Sequence, residues 1–361
     1  MTQILLNPGP VVLSKRVREA MLQPDLCHRE AEFAELQNAI RNDLLEVYPL
    51  DKQNWAAILM TGSGTAAMEA MMTSLIPDHG KVLIIENGVY GERLTKIAEI
   101  HQINHMTLHH EWGDEIDLKI LKDELQYHKE ISHVAVVHHE TTTGRLNDLA
   151  AIAEVCKQHD VPILLDGVSS FGAEDIDFEA WNITACAATA NKCLHAVPGT
   201  SFVISKRNVF EQMQGTPART LYLNLASYLE QQDKNGTPFT QSVQTFYALS
   251  EALKELKDAG GQQQRKQDYW NRLNIVRDGL EKLGINALMR AEDCSCVLNA
   301  FQLPDGIDYE TLHDALKQED FVIYAGQGGL AKSLFRISCM GEISEDDMQR
   351  FIQVMQSICN R

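Results

Sequence analysis

Short apolar runs alternate with segments of helical periodicity along the first two thirds of the chain. The runs Trp55 to Met60, Lys81 to Ile85, His133 to Val137, Val161 to Leu165 and Ser201 to Ile204 read as buried strands, and Thr65 to Leu75 and Leu149 to His159 as helices. Strands separated by helices predict a mainly parallel sheet with helices on both faces. A further helical stretch, Val243 to Ala259, ends at Gly260-Gly261-Gln262-Gln263-Gln264, where paired glycines and polar residues mark a boundary. Beyond it the pattern reads helix (Lys266 to Leu283), strand (Cys296 to Gln302), helix (Tyr309 to Gln318), strand (Phe321 to Tyr324), strand (Leu334 to Ser338) and helix (Glu345 to Ile358). The expected fold is α/β, with a large domain over residues 1–259 and a smaller C-terminal α+β domain over 260–361; two domains are what 361 residues suggest.

Composition narrows the partners. A net charge of −18, from 32 basic and 50 acidic residues, argues against nonspecific attraction to nucleic acid or an anionic membrane, so an anionic substrate needs locally placed arginines. The first residues carry no basic segment followed by a long apolar core, and no later window is apolar enough to span a bilayer, so the chain reads as cytoplasmic. Eight scattered cysteines form no CxxC pair and read mostly as buried free thiols, with Cys193 singled out by its neighbour Lys192.

The candidate chemistry lies at strand ends. Val161-Pro162-Ile163-Leu164-Leu165 ends in Asp166, and Lys192 follows the small residues Ala188-Thr189-Ala190-Asn191. A carboxylate and an amine at neighbouring strand ends are what pyridoxal phosphate requires, since its ring nitrogen needs an anion and its aldehyde an amine. Ala57 to Ala70 reads as strand, glycine turn and helix, and free amides at that helix start, with the Ser63 and Thr65 hydroxyls, can seat a phosphate dianion. The turn lacks the lysine of GxxxxGK[ST] and the full GxGxxG pattern, so it equally suits an N-capped helix after a tight turn. Glu140-Thr141-Thr142-Thr143-Gly144 and Asp166-Gly167-Val168-Ser169-Ser170 also fall at strand ends, where open α/β sheets bind ligands, so these segments can share one cleft.

Taken with Asn7-Pro8-Gly9-Pro10, His28-Arg29-x-x-Glu32-Phe33, Asn87-Gly88-Val89-Tyr90-Gly91, Asn191-Lys192-Cys193 and Phe335 to Gly341, these segments resemble the class V branch of the fold-type I pyridoxal-phosphate aminotransferases over nearly the whole chain. Within it, Glu140 to Gly144, Ala188 to Pro198 and Phe321 to Tyr324 look like the 2-aminoethylphosphonate:pyruvate aminotransferases. The resemblance implies transamination that gives phosphonoacetaldehyde and alanine. Alanine- or serine:glyoxylate (or pyruvate) transamination keeps the same cofactor residues and stays open, as does a noncatalytic module that binds a phosphate ligand.

Carried over by position, Lys192 matches the lysine that bonds the cofactor and then moves the substrate proton, and Asp166 the residue that keeps the ring nitrogen protonated. Tyr90 matches the ring stacked on the cofactor, although a core tyrosine fits the same pattern. Thr141 matches a hydroxyl near the phenolic oxygen; Ser63, Gly64 and Thr65 match the phosphate cradle; Ser169 joins the cofactor contacts. Thr240 matches a phosphate contact supplied by a second subunit, which implies a homodimer with shared sites, though Thr240-Gln241-Ser242 departs from the family's Thr-Pro-Pro or Thr-Ser-Pro. Arg336 matches the arginine that holds the substrate acid group, and its alternation with Phe335 and Ile337 suits a strand with one face toward a cleft. His28 and Arg29 could add positive charge for a phosphonate, or Arg29 could pair with Glu32. The start of the chain is expected to pack toward the small domain or the site. His105, His109, His110, His138 and His139 lack the spacing of a zinc site, and Met68, Met71 and Met72 read as core filling.

Overall fold

The computed structural model describes residues 3–213 and 215–360. Its centre is a seven-stranded sheet in the spatial order Trp55–Gly62, Gly199–Lys206, Ile183–Thr189, Ile163–Asp166, Ile131–Val137, Lys81–Glu86 and His105–His109. Six of these strands run in one direction; Gly199–Lys206 alone is reversed, antiparallel to both neighbours. Side chains alternate across the sheet into two cores. Leu83, Ile85 and Leu165 enter the one built with Phe33, Phe202 and Leu249, while Val82, Ile84 and Leu164 enter the one built with Met68, Met71 and Met72. Burial on both faces explains why these strands read as continuous apolar runs. His105–His109 gives no such run because it is the sheet edge, and of its residues only Leu108 is buried.

The C-terminal part forms a separate core around Leu273, Phe301, Phe335 and Phe351. Its three-stranded antiparallel sheet orders Leu298–Gln302, Leu334–Ser338 and Tyr324–Ala325. The apolar run Phe321 to Tyr324 serves two sheets: Phe321–Val322 pairs in parallel with Ile4–Leu5, and Tyr324–Ala325 pairs with Leu334–Ser338. The start of the chain thus joins this part, with Leu6 and Val12 inside its core, and Gly9 passes the Lys192 side chain closely enough that a Cβ there would lie 3.5 Å from Lys192 Cγ. Gly260, left-handed at φ 99°, separates the helices Val243–Asp258 and Gly261–Lys282.

Candidate active site

Four segments that leave the sheet at the same end converge. Gly62, at a strand end, leads through Ser63 into the helix Gly64–Leu75; Glu86 leads through Gly88 into Val89–Ile100; Asp166 ends its strand; and Lys192 follows Ile183–Thr189. Gly64 is buried against the segment after Asp166, where a Cβ would approach Val168 Cγ1 to 2.8 Å, so the helix start can draw this close only with glycine. Ser63 caps that helix in extended conformation without a hydrogen bond from its side chain, leaving hydroxyl and first-turn amides for a ligand.

Lys192 Nζ donates to Ser169 Oγ at 3.0 Å and lies 5.7 Å from the centre of the Tyr90 ring. Ser169 is held in turn, its carbonyl accepting from His139 Nδ1 at 3.2 Å and from Cys193 Sγ at 3.5 Å. Burial lowers the His139 imidazole to about 3 and raises the Cys193 thiol to about 12, so both are neutral supports. Asp166 is buried, and Oδ1 accepts from the Val168 amide at 2.9 Å, its one hydrogen bond among the described residues. Burial pushes this carboxyl up to about 6, while the charges of Lys192 and Arg93 oppose the rise. A cationic group placed against it would offset the cost of burying its charge and bring its pKa back down.

Arg336 projects from Leu334–Ser338 on the side opposite Phe335 and Ile337, which are fully buried in the C-terminal core. Its guanidinium, only 4% exposed, donates to Ala325 O and Thr141 O, both at 2.9 Å, and to Gln327 Oε1 at 3.3 Å. No carboxylate pairs with it among the described residues, so the alternative of a surface ion pair does not apply. A buried guanidinium bonded only to neutral oxygens is costly, and its own lowered pKa reflects that burial. An anion is its missing complement.

Two residues that sequence reasoning did not single out belong here. Arg93, on the helix after Tyr90, reaches Thr65 Oγ1 at 3.4 Å and lies 4.6 Å from the Tyr90 ring centre. Burial disfavours ionisation of the Tyr90 hydroxyl, but Lys192, the neighbouring Thr141 hydroxyl, Arg93 and Arg336 outweigh it and lower its pKa. Glu140 is the second, a carboxylate with no exposed surface that burial pushes up to about 7. The three-residue offset of Arg93 from Tyr90 was the available signal; nothing in the hydrophobic pattern marked Glu140.

Other expected residues are placed differently. Thr141 lies between Glu140 and Arg336, its hydroxyl buried without a hydrogen-bond partner. Thr240 is exposed on a turn over the end of the edge strand, and nothing bonds it to Ser63 or Thr65 among the described residues. Its neighbour Gln241 holds that turn instead, accepting from Thr61 Oγ1 at 3.0 Å and donating to Thr237 Oγ1 at 3.0 Å. His28 and Arg29 touch none of Lys192, Asp166 and Arg336 by hydrogen bond, and Arg29 makes no ion pair with Glu32 among the described residues. Their loop instead leans on the helix Val243–Asp258, through Gln244 to Asp25 at 3.1 Å and Tyr247 to Pro24 O at 3.2 Å. Among the histidines, His109 faces Glu86 at 3.3 Å and His110 accepts from the Asp117 amide at 2.9 Å.

Fold and strand-end chemistry define a class, and the comparisons agree: the chain belongs to the class-V aminotransferase family, whose model matches residues 19–351. Within that family it is similar over its length to 2-aminoethylphosphonate–pyruvate transaminases. The one from Vibrio cholerae serotype O1 is 37% identical over 358 residues, covering 98% of this chain and 96% of the relative. That from Phocaeicola vulgatus is 33% identical, with 98% of each covered. Among solved structures, alanine–glyoxylate aminotransferase from Nostoc sp. superposes with a TM-score of 0.92 at 26% identity, covering 99% of this chain and 95% of that one.

Proposed function

We propose that this aminotransferase binds pyridoxal phosphate between Tyr90, Asp166 and Lys192 and transfers the amino group of 2-aminoethylphosphonate to pyruvate, giving phosphonoacetaldehyde and alanine. The residues fit the cofactor. The Thr141 hydroxyl beside Tyr90, the buried carboxyl of Asp166, whose charge a neighbouring cation would offset, and an open helix start with Ser63, Thr65 and Arg93 complement its phenolic oxygen, ring nitrogen and phosphate. Bound there, the cofactor supplies an electrophilic carbon and an electron sink. Lys192 Nζ is the amine that would hold it and, once freed by the donor amine, would serve as the base that moves the donor's proton. Ser169 Oγ orients that amine. Asp166 holds the proton on the ring nitrogen.

The observation that carries this reading is Arg336, a buried guanidinium without a carboxylate among the described residues, whose charge acts on the Tyr90 hydroxyl together with that of Lys192. Its planar fork takes phosphonate and carboxylate in turn, which one site must do when two acids exchange an amine. A phosphonate dianion calls for more positive charge than Arg336 alone, and we assign that role to His28 and Arg29 of a second subunit, together with Thr240 at the phosphate. The exposed side chains Leu221 and Tyr222 lie on the same edge, Tyr222 bonded to Thr61 O at 2.8 Å, and suit burial in a homodimer. Gly260 marks the proposed division between the domains 1–259 and 260–361. No helix among the described residues is long and apolar enough to cross a membrane, and we take the enzyme as cytoplasmic.

Steady-state assays of an amine-donor panel with pyruvate and glyoxylate test the reading. Turnover with 2-aminoethylphosphonate and pyruvate, and none with alanine or serine plus glyoxylate, is expected. The reverse pattern selects the second reading, alanine–glyoxylate transamination, which the similarity to the Nostoc sp. enzyme favours.

A further inference from the structure

Helix Val89–Ile100 carries Tyr90 yet starts without a cap of its own. Its N-cap residue, Gly88, has no side chain to accept a hydrogen bond, and three first-turn amides need acceptors. They find them in a segment some fifty positions later. Glu140 Oε2 accepts from the amides of Tyr90 at 3.2 Å and Gly91 at 3.3 Å, and Thr142 Oγ1 accepts from the Val89 amide at 3.0 Å. Glu140 Oε1 closes the group by accepting from the Thr142 hydroxyl at 2.6 Å and the Thr142 amide at 3.2 Å. The fit is tight enough to dictate a neighbour: a Cβ on Gly88 would lie 2.3 Å from Glu140 Cγ and Cδ. Asn87-Gly88-Val89-Tyr90-Gly91 and Glu140-Thr141-Thr142 are thus two halves of one joint.

Thr141 sits between the two capping residues. Its backbone carbonyl takes the Arg336 guanidinium at 2.9 Å, and its hydroxyl neighbours that of Tyr90. One carboxylate is therefore bonded to the backbone that presents the Tyr90 ring and, through Thr142, to the strand end that anchors Arg336.

We propose that Glu140 is a positioning residue: by capping the Tyr90 helix from the Thr141 segment, it sets the ring stacked on the cofactor and the arginine that grips the substrate acid in one register. This rests on the aminotransferase reading above. Four N–H and O–H donors face the two oxygens of this one side chain, an arrangement an amide cannot satisfy because its NH2 meets donors on one side.

Glu140→Gln in the full-length protein tests it, with Thr142→Val as a second variant that removes the hydroxyl and leaves the carboxylate. With pyridoxal phosphate, Glu140→Gln is expected to weaken the circular dichroism of the lysine-bound cofactor at least twofold and to raise the cofactor's Kd about tenfold. Both kcat and the KM for 2-aminoethylphosphonate worsen, and Thr142→Val shows the same changes more mildly. In the cofactor-free protein, amide exchange in segment 88–94 speeds up about tenfold while helix Glu345–Cys359 is unchanged. In the cofactor's Kd, Glu140→Gln combined with Tyr90→Ala loses little beyond Tyr90→Ala alone. The proposal is overturned if both variants match wild type in dichroism and exchange, if exchange rises throughout the chain, or if the Glu140 and Tyr90 losses simply add. A wild-type protein that binds no cofactor instead sinks the functional reading, and the exchange measurement still decides whether Glu140 holds the helix.

Discussion

Replacing Asp166 with Asn is expected to stabilise the cofactor-free protein at neutral pH while weakening its hold on pyridoxal phosphate. In the fold, burial pushes the carboxyl from an ordinary 3.8 up to about 6. Below about pH 4 folded and unfolded chains both carry the proton, and the group costs nothing. Between about 4 and 6 the unfolded chain ionises while the fold retains its proton, so stability falls as pH rises; above about 6 the penalty is complete. A gap of about two pH units at about 1.4 kcal/mol each gives a full penalty of about 3 kcal/mol, of which about half is already present at pH 5. The uncharged amide of Asp166→Asn carries none of this penalty, and its oxygen can still accept from the Val168 amide. Urea unfolding of both cofactor-free proteins, at one protein concentration, should therefore show the advantage of Asp166→Asn growing by about 1–2 kcal/mol between pH 5 and pH 8. Comparing two pH values cancels any pH-independent change in packing. With saturating cofactor the order reverses, because only a carboxylate can balance a protonated ring nitrogen, and the variant's Kd for the cofactor rises. An advantage equal at both pH values, or an unchanged Kd, would refute the assignment of Asp166 as the buried anion of the site.

Further expectations concern the substrate acid group and the helix start. Arg336→Lys, which loses the planar fork, and Arg336→Leu, which loses the charge, are expected to lower kcat/KM for pyruvate and 2-aminoethylphosphonate together, by about 100-fold or more for Leu at about 3 kcal/mol; a loss confined to one substrate means the two acids do not share this arginine. Gly64→Ala forces a methyl against Val168 and is expected to cost about 1–3 kcal/mol, with more than half regained in Gly64→Ala/Val168→Ala by equilibrium unfolding. Strictly additive losses would show that the two residues do not contest the same space.

The hydrophobic pattern carried much of the architecture, because a strand between two apolar cores must be apolar throughout and one that turns a single face to a core must alternate. That is why Val161 to Leu165 and Leu334 to Ser338 were legible, and why Arg336 between Phe335 and Ile337 could be placed on the opposite face from the core. Asp166 and Lys192 stood out for a related reason: a polar group directly after a buried strand lies at a sheet end, where ligands bind. The edge strand His105–His109 was missed since solvent on one side relaxes that rule. The antiparallel direction of Gly199–Lys206 and the splitting of Phe321 to Tyr324 between two sheets leave no local trace either, since an apolar run is the same in either direction.

What the sequence by itself determined was the layered α/β frame and the presence of an amine, a carboxylate and a glycine turn at strand ends. Only the tertiary structure decided which groups meet. It set Glu140 under a helix start far away in the chain, brought Arg93 to Thr65, gave Arg336 neutral oxygens as its partners, and left His28, Arg29 and Thr240 without a hydrogen bond to Lys192 among the described residues. Periodicity records burial, which each residue meets alone; hydrogen bonds and missing counter-charges are properties of pairs, and pairs distant in the chain are chosen by folding.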